Sequence, residues 1–345
     1  MVSILNIQKQ LIPDFLRVMR KRYEILHLVQ LMQPVGRRSL SATLQTTERI
    51  LRSEIDFLRA QGLVKVDSTG IRLSSNGTDL IVSMEPMIKT LFGLSQLEEE
   101  ISSFLGVDQV FIVPGDVDRS NLVKKDMGRA AARILKQRSV EKQIVAVSGG
   151  SSVLAVAENM VSTQVLKQTT FIPTRGGVGE AVELEANYIA SLMAKQTGGS
   201  YRLLHIPDEL SEGAYHTLIQ EPYIRQVLDD LKQAKIVIHG IGDAKSMAMR
   251  RQSSSDIIRK LEDAKAVGES FGYYFDVHGQ IVHRVSTVGL RLEEVYQAKH
   301  VIAVAGGKSK AAAITAVCTK MKPQVLVTDE TAARFILDKY QKNEE

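Results

Sequence analysis

Two periodicities divide the chain. Between residues 14 and 61, apolar residues recur at intervals of three and four, the spacing of amphipathic helices. The short alternating runs LVKV and IRL follow, joined by DSTG, a sequence typical of a tight turn. From residue 107 onward, apolar runs such as QVFIV, QIVAV and VIAVA alternate with helical stretches. The second pattern predicts an α/β domain with a doubly wound, mostly parallel sheet that helices cover on both faces.

The first pattern predicts a winged helix-turn-helix domain over residues 1–75. We expect a helix over 14–33, a short helix over 39–44, a turn, and a second helix from about 47 to 61. The two alternating runs would then form the hairpin wing. This order of elements is typical of DNA-binding domains, in which the last helix enters the major groove.

The helix over 47–61 is two-faced. Leu51, Ile55 and Leu58 form one apolar stripe that should face the core, which leaves polar residues on the opposite side. The candidate DNA contacts lie at the start and on the polar face of this helix, before the short helix and on the wing: Arg37, Arg38, Thr47, Glu48, Arg49, Arg52, Ser53, Lys65 and Arg72. The alternative is an ordinary amphipathic surface helix.

The distribution of charge favours DNA binding. The chain has 345 residues and a net charge of +5, and its first 75 residues hold twelve Lys and Arg but only six Asp and Glu. The remaining residues hold 32 basic and 33 acidic side chains, so the whole excess lies in the small module. A basic module on a neutral body indicates a polyanionic partner, although a solvated surface would also be basic.

Residues 76–106 are predicted to be a helical linker, and residues 107–345 the second domain. Leucines and methionines recur in the linker at near-heptad spacing. This stretch could connect the two domains, pair with its copy in a dimer, or pack on its own domain.

The second domain contains two similar loops. QIVAVSGGSS and VIAVAGGKSK each place two glycines and hydroxyl or amine groups between a strand and a helix. Four strands end in glycine, near Gly149, Gly176, Gly240 and Gly306, and we expect these ends at one edge of the sheet. Helix N-termini bind anions, so two phosphates of one ligand could occupy the two loops, with charge from Lys308, Lys310, Arg175, Arg250 and Arg251. The alternative is two structural turns.

The sequence does not match the motifs of nucleotide, dinucleotide or metal sites. GKS at 307–309 is preceded by Ile302 where a nucleotide-binding P-loop needs glycine, and GIGDAK lacks the third glycine of a dinucleotide fingerprint. The seven histidines show no metal-ligand spacing, and we expect no cofactor. Glu269 and Asp243 are candidate sugar ligands or bases, or else structural caps. Cys318 is the only cysteine, and neither a signal peptide nor a membrane span is evident, which predicts a cytoplasmic protein.

With the basic helix-turn-helix in front of them, the blocks SGGSSVLAVAENM, PTRGGVGE, GIGDAKSMAMRR, GESFGYYF, AVAGGKSKAAAI and VLVTDETAA resemble the SorC-type sugar-responsive bacterial regulators. The resemblance covers nearly the whole chain and is most specific over residues 143–332. Within that family it is closest to the branch that controls glycolytic genes in Gram-positive bacteria. It implies an effector domain of the phosphosugar isomerase-like type that acts as a sensor, with fructose 1,6-bisphosphate as effector.

The resemblance also implies roles for single residues. Gly149, Ser151 and Ser152 correspond to the family's first phosphate loop, where two threonines are usual. Gly307, Ser309 and Lys310 correspond to a second loop that shares this phosphate. Arg175 and Arg250 would then bind the other phosphate, and Glu269 would contact sugar hydroxyls.

The function expected from residues and resemblance is a repressor of a glycolytic operon that the effector releases or remodels. Its partners would be operator DNA, a phosphorylated sugar and further copies of the chain, as a dimer that assembles to a tetramer on DNA. The alternative is an active phosphosugar isomerase with an accessory DNA-binding module, in which Glu269 or Asp243 would be the base. Residues alone do not separate a repressor from an activator.

Overall fold

The computed structural model describes residues 13–179, 181–208 and 210–341, which divide at Ser95/Gln96 into two compact units. The first twelve residues of the predicted DNA-binding domain and the last four of the predicted effector domain lie outside the described residues. No helix within the described ranges is both long and apolar enough to cross a membrane.

The first unit is a winged helix-turn-helix. It comprises α1 (Pro13–Met32), α2 (Arg37–Thr43), α3 (Glu48–Ala60), the antiparallel hairpin β1 (Val64–Asp67) and β2 (Gly70–Leu73), and α4 (Ser75–Leu91). Each predicted helix and both wing strands are therefore confirmed to within two residues. The predicted stripe is buried, since Leu51, Ile55 and Leu58 are at most 1% exposed. Burying each such side chain stabilises the fold by about 2 kcal/mol.

The predicted linker over 76–106 is shared between the two units. Helix α4 buries Ile81 and Ile88 in the core of the first unit, and Arg20 of α1 lies over the Phe92 ring at 4.3 Å. Helix α5 (Leu94–Leu105) belongs almost wholly to the second unit, where Glu98 accepts a hydrogen bond from the backbone of Ile112 at 2.8 Å. Most apolar positions of α4, including Leu80, Met84 and Leu91, therefore pack inside the first unit.

The second unit is built on a seven-stranded, wholly parallel sheet in the order β3-β13-β12-β7-β4-β5-β6. Its strands are β3 (Gln109–Val113), β4 (Ile144–Val147), β5 (Thr170–Pro173), β6 (Ser200–Tyr201), β7 (Ile236–Gly240), β12 (His300–Val304) and β13 (Val325–Asp329). Its helices are α6 (Asn121–Arg138), α7 (Ser151–Glu158), α8 (Ala186–Thr197), α9 (Glu212–Leu218), α10 (Pro222–Lys232), α11 (Ala244–Arg250), α12 (Ser255–Asp263), α13 (Leu292–Val295), α14 (Ala311–Met321) and α15 (Glu330–Ile336).

Both faces of this sheet are buried, as the continuous apolar strands require. On one face Val145, Ile238 and Val304 pack against α6, α7 and α8, in a core that also contains Met127 and Ile189. Residues of the opposite face, such as Ala146, Val237 and Ala303, are also less than 2% exposed.

A second, smaller sheet was not predicted. It is antiparallel, in the order β11-β10-β9-β8, and consists of β8 (Gly242–Asp243), β9 (Ala266–Ser270), β10 (Tyr273–Asp276) and β11 (Ile281–Arg284). Its sequence signal is short, and the aromatic run YYF at its centre is wholly buried and shows no alternation. This sheet carries Glu269.

Helices α6 and α7 approach each other closely at Gly128. A Cβ atom there would lie 2.3 Å from the carbonyl oxygen of Ala155, a distance that real contacts do not allow. We expect Gly128→Ala to lower the free energy of unfolding by about 1–3 kcal/mol, because the helices must move apart.

The control is Gly213→Ala on α9, where an added methyl group meets nothing within 4 Å. Urea denaturation of both variants measures the difference. Equal stability of the two variants would contradict the close packing of α6 on α7.

Candidate functional site

The order of the parallel strands reverses between β4 and β7. From β4 the chain proceeds to β5 and β6 on one side, whereas from β7 it proceeds to β12 and β13 on the other. The helices that follow diverging strands leave a crevice at the carboxyl ends, where open α/β sheets bind ligands. The four strands that were predicted to end in glycine are the adjacent strands β12, β7, β4 and β5. Their glycines therefore lie at one edge, as expected.

A cavity of about 780 Å³, measured out to the solvent, occupies this crevice. Seven of the nine predicted effector-binding residues line it: Gly149, Ser151, Ser152, Arg175, Arg250, Glu269 and Lys310. They come from α7 and the loop before it, the β5 loop, α11, β9 and the turn before α14. Gly307 and Ser309 do not line this cavity.

The first glycine loop leaves the start of α7 open. Gly150 is the N-cap residue, has φ of +103° and has no side chain with which to cap the helix. Its own N–H donates to the carbonyl of Leu184 at 2.8 Å, which fixes the loop. The N–H groups of the first turn of α7, together with the hydroxyls of Ser151 and Ser152, can therefore donate to an anion in the cavity.

The second glycine loop holds protein carboxylates. Asp118 accepts hydrogen bonds from the Ser309 backbone at 2.9 Å and from its hydroxyl at 2.7 Å. Asp329 accepts one from the Gly307 backbone at 3.0 Å and another from Val117 at 2.6 Å. Two loops of similar sequence thus differ in chemistry, since one is open and the other is closed by carboxylates from β13 and from the segment that follows β3.

Positively charged side chains line the cavity. The Lys310 ammonium donates to the Ile241 carbonyl at 3.1 Å. Burial lowers the pKa of Lys310, and the positive charges of Arg250 and Lys124 lower it further, against the opposing effect of Asp118 and Asp243. Like charges held together in this way repel each other, and a bound anion would relieve the repulsion.

A buried ionic cluster forms the wall opposite. Arg251 is 2% exposed in its side chain and donates to Asp208 at 3.1 Å and to Glu269 at 2.8 Å. Arg175 lies 3.3 Å from Glu269 and 3.6 Å from Asp208. Tyr274 accepts a third hydrogen bond from Arg251, at 2.9 Å. Two arginines and two carboxylates neutralise one another in this cluster. Arg250 and Lys310 lie outside the cluster and also line the cavity.

Glu269 is ionised in this cluster. Burial alone would raise the pKa of its carboxyl group, but the charges of Arg251 and Arg175 and the N–H of Gly272 outweigh burial and lower it. All three groups donate to Oε1. An ionised carboxylate accepts hydrogen bonds and does not donate them, which suits contact with ligand hydroxyls.

Asp243 is a helix cap. Its Oδ1 accepts from the Ser246 backbone and from the Ser246 hydroxyl, both at 2.8 Å, at the start of α11. This is the structural alternative considered from the sequence. Among the described residues no group of three or more His, Cys, Asp and Glu side chains could hold a metal ion.

Sequence reasoning missed several residues of the site. Glu185 lines the cavity and accepts from the backbones of Val178 and Gly179 at 3.1 and 2.8 Å, which orders the loop after β5. Asp208 and Tyr274 hold the arginines. Asp208 lies in no quoted motif, and Tyr274 lies in the block GESFGYYF, where only Glu269 was assigned a role.

The first unit presents a basic surface. Thr47, Glu48, Arg49, Arg52 and Ser53 are exposed at the start and along the solvent face of α3. Lys65 and Arg72 are exposed on the wing. Arg37 and Arg38 were expected before the short helix but are the first two residues of α2, where Arg38 is exposed and Arg37 half-buried.

Two of these predicted contacts have local roles. The Thr47 hydroxyl accepts from the Ile50 backbone at 3.3 Å and so caps α3. Glu48 lies 3.4 Å from Arg38. Within the described part of the chain, no hydrogen bond or ion pair engages Arg49 or Arg52.

A basic winged helix-turn-helix, together with a crevice lined by groups that can donate hydrogen bonds to an anion, is typical of a DNA-binding regulator with a ligand-sensing domain. The family model described as "CggR N-terminal DNA binding domain" matches residues 18–88, and the model described as "Putative sugar-binding domain" matches residues 89–338. The chain belongs to the SorC-type family of sugar-binding transcriptional regulators.

Curated relatives agree over the full length. The Central glycolytic genes regulator of Bacillus subtilis is 45% identical over 337 residues, covering 98% of this chain and 99% of that protein. Its counterpart in Priestia megaterium is 44% identical over 338 residues, with the same coverage. Both relatives are named regulators of glycolytic genes, and this chain shares their length and has the DNA-binding domain. The chain is accordingly a transcriptional regulator and not the isomerase considered as the alternative.

Solved structures show the same architecture. The crystal structure described as a putative SorC family transcriptional regulator from Enterococcus faecalis is 41% identical, with a TM-score of 0.66, and covers 70% of this chain and 99% of its own. The full-length sorbitol operon regulator SorC from Klebsiella pneumoniae covers 93% of this chain and 99% of its own with a TM-score of 0.63. Because the second structure is only 16% identical, it shows similarity of the fold alone.

His239, at the end of β7, makes the second unit sensitive to acid. Its Nδ1 lies 3.0 Å from the Gly240 carbonyl and 3.0 Å from the Ser270 hydroxyl, and burial lowers the pKa of His239 to about 4. The ordinary value of 6.5 applies after unfolding, so the folded state favours the neutral ring. This contribution to stability is complete above pH 6.5 and declines by about 3 kcal/mol as the pH falls to 4.

We therefore expect His239→Gln to lose less stability than the parent chain between pH 7 and pH 4. Guanidinium denaturation at both pH values measures the change. The exposed His278→Gln should retain the full loss. Identical losses for all three chains would exclude His239 as the source.

Proposed function

We propose that this regulator represses glycolytic genes and that fructose 1,6-bisphosphate, bound in the crevice, releases or remodels it on operator DNA. The names of the two curated relatives that match 98% of the chain support the choice of genes. The cavity supports the choice of ligand. The observation that carries the proposal is the convergence of an uncapped helix start with cations from other elements in one crevice.

The donors of the cavity suggest how a bisphosphate would bind. One phosphate would bind at the N-terminus of α7, where it would accept hydrogen bonds from the hydroxyls of Ser151 and Ser152 and from the ammonium of Lys310. The other phosphate would bind Arg250. Arg175 would contact this phosphate as well as the carboxylates of Asp208 and Glu269. Glu269 would accept hydrogen bonds from the sugar between them. Ser309 would contribute only if Asp118 left the second loop, and Gly307 only if Asp329 released its N–H.

The family resemblance also leads us to propose that the chain acts as an oligomer, with dimers that join as a tetramer on operator DNA. Ligand binding changes DNA binding only if the two arrangements of the oligomer differ in ligand affinity. Sedimentation of the chain on an operator duplex, with and without the bisphosphate, measures this coupling.

Repression itself is tested in a deletion strain grown without glycolytic sugars. We expect transcripts of the controlled glycolytic genes to rise. Unchanged transcripts would contradict repression, and lower transcripts would indicate an activator.

The ligand assignment is tested by titration calorimetry of the full chain with fructose 1,6-bisphosphate and with fructose 6-phosphate. We expect strong preference for the bisphosphate. Arg250→Ala should weaken bisphosphate binding about tenfold to a hundredfold and affect the monophosphate little, because a charged hydrogen bond to one phosphate is removed.

Lys245→Ala is the matched control. Lys245 lies on the same helix as Arg250, is exposed and pairs with Glu262 at 3.3 Å outside the cavity. Lys245→Ala removes one positive charge, as Arg250→Ala does, but it removes that charge from outside the cavity. Bisphosphate binding should therefore persist in Lys245→Ala. Equal binding of both sugars by the parent chain would refute the bisphosphate assignment.

The DNA surface is tested with Arg49→Ala. We expect weaker operator binding and a salt dependence whose slope falls by about one unit, because one cation near the phosphates is lost. Fluorescence anisotropy at several salt concentrations measures both quantities. Arg59→Ala, an exposed arginine at the other end of α3, should change neither, and equal effects of the two variants would argue against a contact by Arg49.

A further inference from the structure

Helix α3 exposes an apolar side chain that the core does not need. Its packing stripe consists of Leu51, Ile55 and Leu58, which are essentially buried. Ile50 lies outside this stripe and is 46% exposed. It does not belong to the buried cluster of its unit or to the partly buried residues around it. Single exposed apolar side chains are common on protein surfaces, so exposure alone says little about Ile50. Its position within the predicted DNA-binding face of α3 is what makes it informative.

Other contacts of α3 do not cover Ile50. Phe57 is the second large apolar residue exposed on α3, and the guanidinium of Arg22 stacks on its ring at 3.6 Å. Arg22 is held in turn by Glu54 at 3.0 Å. Phe57 is therefore integrated into the contact between α1 and α3, whereas Ile50 lies in the first turn of α3.

The surroundings of Ile50 are those of a base-reading position. Its backbone N–H donates to the Thr47 cap, which fixes the first turn of α3. Arg49 precedes it, and Ser53 follows on the adjacent turn, both exposed. In a helix-turn-helix, residues near the N-terminus of the recognition helix meet the base edges in the major groove.

We propose that Ile50 determines operator specificity by contact with the 5-methyl group of a thymine. That methyl group is the apolar feature of the major-groove edge, and aliphatic or small side chains contact it there. Arginine and serine on either side supply phosphate or hydrogen-bonding contacts, and Ile50 supplies the apolar one. The inference rests on DNA binding by α3 and does not depend on the ligand or on repression.

The experiment removes the methyl group from the DNA and the side chain from the protein. An operator is first selected from a random duplex library with the full parent chain. Each thymine of the consensus is then replaced singly by uracil, which lacks only the methyl group. Dissociation constants are measured for the parent chain, Ile50→Ala and Val82→Ala, the last being a β-branched residue of α4 that is 56% exposed.

We expect one thymine in each half-site at which uracil weakens binding by the parent chain and by Val82→Ala about threefold to tenfold. Ile50→Ala should bind the two duplexes equally, because its contact with the methyl group is already absent. Ile50→Val should retain part of the discrimination. Thermal unfolding of each variant verifies that the first unit is folded.

Four results would overturn the proposal. Ile50→Ala could be folded and as sensitive to every uracil substitution as the parent chain. The parent chain itself could be indifferent to every substitution. The selected consensus could lack thymine altogether. If Ile50→Ala changes only the oligomeric state in sedimentation, the exposed side chain contacts another copy of the chain and the proposal is wrong.

Discussion

The reversal of strand order between β4 and β7 is the constraint on which the second unit depends. Because the sheet is parallel throughout, all its carboxyl ends lie at one edge, and the reversal parts the helices that follow there. The start of α7 consequently faces a crevice that side chains from β9, α11 and the turn before α14 can reach. No single segment of the chain contains this site. Its anion donors converge because the topology brings distant segments to the same edge.

The two glycine loops show how tertiary contacts separate similar sequences. Both begin with a buried strand and two glycines, yet Gly150 leaves a helix uncapped while the loop at Gly307 is closed by Asp118 and Asp329. The closing carboxylates are far away in sequence or on another strand. The ionic cluster around Glu269 follows the same logic, since its partners Arg175, Asp208 and Arg251 come from three segments. Arg250 and Lys310 lie outside this cluster and line the crevice.

In the first unit, helix α3 is held firmly although most of its surface is exposed. One narrow stripe of α3 supplies the packing, and Glu54 binds Lys21 and Arg22 of α1, each at 3.0 Å. Burial alone would raise the pKa of Glu54, but hydrogen bonds and charge from Lys21 and Arg22 lower it, so the carboxylate stays ionised. The remaining face of α3 is therefore available for recognition, and its arginines are not used in holding the helix.

The sequence by itself determined the elements of the first unit, the alternation of parallel strands and helices in the second, and the chemical character of the crevice. Helical spacing and turn residues placed α1, α2, α3 and the wing, because local amphipathicity and backbone preferences are written in adjacent residues. Glycines after four apolar strands predicted a shared edge, since parallel strands align their ends. Only the tertiary structure decided which loop is open, that Asp243 caps a helix, and that Arg251 is buried beside Glu269 while Arg250 lines the cavity. Those outcomes depend on which carboxylate reaches which donor, and that is a matter of distances between residues far apart in the chain.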